Sequence, residues 1–293
     1  MKRQALLAMA VAFSGALSLQ AQTVWYQNTG NLPDWNINIG WSANSDGTGG
    51  NPGSPLSASD EFSINGGILD TTAIPFEGGT LLFESGDLAP AQPGRMATRT
   101  AFSTVANISV TDGRVTANNG NNTTTTLEVT GTADISGPLE FDAATTRTSV
   151  FDVDTLTGSG DIVIGRNSGN QGTYDFLFDD ASGFTGELRL VHGVMDLSSD
   201  LTLANGSFDI RTGGVNTLVL DQRISVSLLE VGTAASPTIW NTPGTTLTAT
   251  DLSNAGANVS GSGTVKIIPE PSTTALLIGA LGLIAAVGLR RRR

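Results

Sequence analysis

The side chains that could do chemistry in this chain are mainly carboxylates, and they fall in small groups. Asp152, Asp154 and Asp161 form one, and Asp179, Asp180 and Glu187 another. Two acids on one face of a sheet can act as proton donor and base on a glycosidic bond. Asp152 and Asp154, with a backbone carbonyl, could hold Ca²⁺, although their stretch lacks the Asp-x-Asp-x-Asp-Gly spacing of a calcium-binding loop. Polysaccharide lyase chemistry also needs a base, and between residues 22 and 268 there is one lysine, Lys266, with eight scattered arginines. The single histidine, His192, lies between Val191 and Gly193 on a strand pattern and reads as a surface or turn residue. With one histidine and no cysteine, a His-cluster metal site, a thiol nucleophile and stabilising disulfides are all excluded. No G-x-S-x-G elbow appears, and no glycine run opens a helix in the manner of a phosphate-binding loop. The expectation is a protein that is not an enzyme and carries no cofactor. Trp25, Trp35 and Trp41 have two possible uses: stacking on sugars, or covering the open end of a stacked fold.

The elements that would position these groups are strands. "TTLEVTGTADISG" puts Leu127 and Val129 on one face, and "GDIVIG" does the same for Ile162 and Ile164. The run from Gly186 to Gly213 continues with Leu188, Leu190, Val194, Leu197, Leu201, Leu203, Phe208 and Ile210. These are short period-2 segments bounded by Gly, Asn, Asp and Ser. "MATRTAFSTVA" (96–106) is the exception, with the pattern of one or two helical turns. A loose cycle of roughly 20 residues, with no exact repeat, points to stacked coils. Such a stack buries a narrow aliphatic column, which needs few aromatics, and the chain has 6%. The expected fold is all-β, a right-handed parallel β-helix or β-solenoid, with a β-sandwich as the alternative.

Charge and the two ends bear on location. Residues 22–268 hold nine basic and 26 acidic side chains, a net of about −17 that repels nucleic acid and anionic lipid. Lys2 and Arg3 precede the apolar run Ala5–Leu19, the pattern of a secretory signal helix over residues 1–21 cut after Ala21. At the other end, residues 273–289 are seventeen uncharged residues followed by Arg290, Arg291, Arg292 and Arg293. A helix of that length reaches about 25 Å, enough to span a bilayer with local thinning, and the arginines stay on the cytoplasmic side. The expected organisation is a signal peptide, an exported body over 22–268 with an N-terminal cap over about 22–66, and a tail over 269–293.

The tail joins Pro269, Glu270, Pro271 and Ser272 to that helix and to terminal arginines. This layout resembles the PEP-CTERM sorting domain. The resemblance implies an exported protein held in the inner membrane by its C-terminal helix. An exosortase would then process the tail near Pro-Glu-Pro, and the protein would move to the cell surface or an exopolysaccharide matrix. The two prolines suit this use, because they hold the segment extended outside the membrane.

A second resemblance covers residues 158–197. Gly158, Ser159, Gly160, Phe184, Thr185, Gly186, Leu188 and Leu190 resemble the autotransporter-associated β-strand repeat, whose members build right-handed parallel β-helices on bacterial surfaces. It implies a structural or adhesive role. The alternatives are a carbohydrate-binding module using the three tryptophans and, further off, a carbohydrate-active enzyme using Asp179 and Asp180.

Overall fold

The computed structural model describes residues 23–27, 31–32, 34–45, 49–85, 93–117, 124–165 and 171–269. Ala21, Glu270, Pro271, Ser272 and Arg290 to Arg293, with the expected signal and transmembrane helices, lie outside the described residues. Among the described residues no helix is long and apolar enough to cross a membrane.

The body is a β-solenoid built of two 12-stranded sheets. Each strand lies parallel to its counterpart one coil later. Leu139 sits beside Ile162, Ile162 beside Leu188, Leu188 beside Phe208 and Phe208 beside Leu229. Those steps are 23, 26, 20 and 21 residues, and Leu81 to Ile108 is 27. The roughly 20-residue cycle expected from sequence is therefore the short end of a range. Coils differ because some corners carry extra loop residues, which hides the period from a fixed-window search. A β-sandwich of antiparallel sheets is ruled out by this parallel pairing.

Stacking places like positions on top of one another. Met96, Val115, Phe141, Ile164, Leu190, Ile210 and Val231 form one inward row, all fully buried or nearly so. Burying each such side chain contributes on the order of 1.5–3 kcal/mol, so the row is a large share of the fold's drive. Where aromatics meet, they meet edge to face or tilted. Phe141 lies 5.0 Å from Phe151 and 5.5 Å from Phe176 between ring centroids. Several polar groups inside are paired: the buried Tyr174 hydroxyl accepts the Ala143 N–H at 2.8 Å, and Thr98 donates to Thr125 at 3.1 Å.

Two segments differ from the sequence expectation. The segment 96–106 is not helical but holds parts of two strands, Gly94–Thr98 and Phe102–Val105, with Met96 and Val105 buried. Pairing with neighbouring coils outweighs its weak helical pattern. In Gly193–Asp196 the inward side chain is Met195, and Val194 is half-exposed, because the strand begins at an inward-facing glycine.

One corner of the coil explains the Gly-Ser-Gly signal. A Cβ on Gly137 would meet the Thr111 carbonyl oxygen at 1.9 Å, one on Gly160 the Gly137 oxygen at 2.2 Å, and one on Gly186 the Gly160 oxygen at 1.9 Å. Successive corners touch backbone to backbone, leaving no room for any side chain. Gly158 adds φ +100°, a conformation that L side chains rarely adopt.

Among the described residues, antiparallel pairing occurs only toward the ends of the stack. Val24–Gln27 pairs with Trp41–Ser42, Arg223–Thr233 with Ser236–Trp240, and Thr246–Thr248 with Thr264–Ile267. A short helix, Ala249–Asn254, packs beside the last strands and buries Leu252 completely. Its N-terminus is a capping box: the Thr248 hydroxyl accepts the Asp251 N–H, and Asp251 accepts the Thr248 N–H at 2.8 Å. These pieces occupy edges that would otherwise pair with another molecule.

Candidate functional site

The tryptophans form a plug. Trp35 and Trp41 are fully buried, and the Trp41 ring lies 5.1 Å from Phe62, which in turn lies 5.2 Å from Phe76. Trp35 donates to Thr72 Oγ1 and the Ile74 carbonyl, and Trp41 donates to the Trp35 carbonyl. Trp25 is half-buried and donates to Asp60 at 2.9 Å. A ring buried on both faces cannot stack on a sugar. The glycan-stacking alternative therefore loses Trp35 and Trp41, for the reason that made the cap reading attractive: large rings close an open column.

The acids lie on outward faces and separate into three neighbourhoods. Asp152 and Asp154 share the outer face of Thr148–Gly158. Burial, then the charges of Glu128, Asp179, Asp154 and Asp175, push the Asp152 carboxyl up from its ordinary value. Among the described residues, no grouping of three close carboxylate oxygens includes either residue. Asp179 and Asp180 line a groove of about 320 Å³ with Phe178, Ser182 and Asp200. Asp180 accepts the Ser182 N–H at 2.8 Å, which holds its carboxyl below the usual value, and Asp200 pairs with Arg223 at 2.9 Å. These bonds tie Asp180 to a local turn and Asp200 to a neighbouring coil. His192 is half-buried and accepts the Val215 N–H at 3.2 Å through Nδ1, a bond between coils.

The third neighbourhood was not anticipated. One outward row carries Arg95, Arg114, Glu140, Val163, Arg189, Asp209 and Glu230 in register. Arg114 donates twice to Glu140, at 3.0 and 2.8 Å. Further along, Arg189 reaches Glu187, Asp161 at 3.3 Å and Asp209 at 3.1 Å, and Arg211 also pairs with Asp209. Carboxylate oxygens of Glu187, Asp209 and Glu230 gather within 4.8 Å of one another. Burial raises the carboxyls of Glu187 and Asp209, and the arginines oppose that shift. The available signal was acids spaced one coil apart, 187, 209 and 230, which grouping by sequence neighbourhood cannot see.

The last described strand, Thr264–Ile267, lies parallel to Arg223–Val226, and the Ile268 N–H donates to the Val226 carbonyl at 2.9 Å. Pro269 follows at once and is exposed. A second groove, about 350 Å³, runs beside this junction between Ser227, Leu228, Asn241, Pro243 and Ile268.

Fold and junction together describe an acidic β-solenoid whose final rung runs straight into a tail segment. Residues 268–293 match the family model described as the PEP-CTERM protein-sorting motif, which implies export, membrane association and processing by exosortase. No curated protein and no solved structure matches the chain.

Proposed function

We propose that this chain is a structural or adhesive scaffold of the cell surface or extracellular matrix, delivered by its C-terminal sorting tail. The observation that carries this reading is the match of residues 268–293 to the sorting motif, directly after a strand still bonded to the body. In this reading a signal peptide over residues 1–21 starts export, the helix over 273–289 holds the chain in the inner membrane, and an exosortase acts near Pro269–Pro271. The body then serves without turnover, its acidic faces favouring cations or neutral exopolysaccharide over nucleic acid. The bonding of Asp180, Asp200 and His192 to backbone and neighbouring coils supports a non-enzymatic role.

Mass spectrometry of the mature protein's C-terminus tests the sorting half. A terminus near Pro271 is expected, and an intact Arg293 would leave a plain membrane anchor. For the scaffold half, incubation with the producing cell's own exopolysaccharide should show no turnover. Turnover that disappears in Asp179→Asn/Asp180→Asn would overturn it in favour of an enzyme working in the 320 Å³ groove.

A further inference from the structure

Glu187, Asp209 and Glu230 come from three successive strands of one sheet, Glu187–Leu190, Leu201–Arg211 and Arg223–Thr233. Each places one carboxylate oxygen within 4.8 Å of the other two. Asp209 is completely buried. Its Oδ2 is taken by Arg189 and Arg211, while its Oδ1, equally buried, has no hydrogen-bond partner. A buried, unpaired carboxylate oxygen is rare, and it points to a bound ion, water or strain. Glu230 is half-buried and pairs with no base among the described residues. Counting Asp161, the cluster holds four carboxylates and two guanidinium groups, leaving two negative charges in one place.

One divalent cation would cancel that excess. The donors are all oxygens, which suits a hard ion and not zinc, whose sites favour nitrogen and sulfur. Two oxygens on one Ca²⁺ stand at most about 5 Å apart, given bonds of roughly 2.3–2.6 Å. The observed grouping meets that limit. We propose that Glu187, Asp209 and Glu230 form a Ca²⁺ site that ties three successive coils together. Each coil of a solenoid contacts only its neighbours, so an ion bound across three of them stabilises the stack and has no comparable site in the unfolded chain. The site stands on the body's own geometry and does not depend on the sorting reading.

Full-length protein in detergent, stripped with a chelator, is titrated with CaCl₂ by calorimetry and by thermal unfolding. One site is expected, with Kd roughly 10⁻⁴–10⁻³ M as in other exported calcium modules. The unfolding midpoint should climb once calcium exceeds Kd. Loss of an outer-shell partner alone costs about 10–100-fold in affinity, so Glu230→Gln, which removes a ligand charge and leaves the arginine pairings intact, should weaken binding at least about tenfold. Its metal-free midpoint should not fall below wild type. Asp179→Asn/Asp180→Asn, in a separate groove, should bind like wild type. A second variant covers the case in which Glu230→Gln fails to fold. Glu230→Asp, which keeps the charge and withdraws it by one methylene, should also weaken calcium binding. The proposal is overturned by a wild type that shows neither heat nor midpoint shift up to about 10 mM calcium, well above the weakest expected Kd. It is equally overturned by affinity unchanged in a folded Glu230→Gln or Glu230→Asp, or by binding lost in Asp179→Asn/Asp180→Asn.

Discussion

Gly160 shows how one atom sets the coil. Its missing Cβ is the space into which the Gly137 carbonyl fits, and Gly186 uses the Gly160 carbonyl in the same way. Gly160→Ala should destabilise the body by at least about 2 kcal/mol, since neither backbone can retreat without breaking the stack. Denaturant unfolding measures this, and a cost near zero would mean that the corner is slack. Asp152 illustrates charge instead of shape. Its carboxyl is raised in the fold, so the folded state disfavours the ionised form. The sign follows: this group weakens the fold as pH rises from its unfolded value, near 3.9, through its raised folded value. Asp152→Asn should therefore gain midpoint over wild type at pH about 7 and lose that advantage near pH 3. Thermal unfolding at the two pH values reads it directly.

Strands carry the next level of organisation, because each rung is stable only against its neighbours. Phe141 occupies an inward position between Val115 and Ile164, with Phe151 and Phe176 around it. Phe141→Ala should cost about 3–5 kcal/mol, as a cavity in a narrow column has little around it that can collapse. The terminal elements matter for a different reason. Leu252→Ala should cost about 2–5 kcal/mol, and Thr248→Ala, which removes only the cap, about 1 kcal/mol. Paired unfolding curves of the two variants separate burial from capping. Much of this level was legible from residues: the inward alternation of Leu127, Val129, Ile162 and Ile164 appears as expected. Val194 and the segment 96–106 depart from expectation because their local pattern is ambiguous, and only pairing with adjacent coils resolves which side chain turns inward.

For the molecule as a whole, the division between body and tail falls at Ile268. A chain ending at Ile268 should keep the stability of the body, while one ending at Gly263 should lose it. The shorter chain gives up buried Val265 and Ile267, each worth about 1.5–3 kcal/mol, and leaves Arg223–Val226 without its parallel partner. Comparing the two truncations by thermal unfolding tests this; equal stability would show that the last rung is dispensable.

What residue order alone established is local or covalent: alternation, glycine at corners, the count of cysteines and histidines, the balance of charge, and the contiguous tail with its prolines and arginines. Each can be read from neighbours along the chain, because turns, pleats and sorting signals act over a few residues. Tertiary structure decided which distant residues share a rung. Coils of 19 to 41 residues bring Glu187, Asp209 and Glu230 together and seal Trp35 and Trp41 inside, and loop insertions at the corners make that register irregular in sequence. Stacking energy, summed over every rung, sets the register, and no single segment contains it.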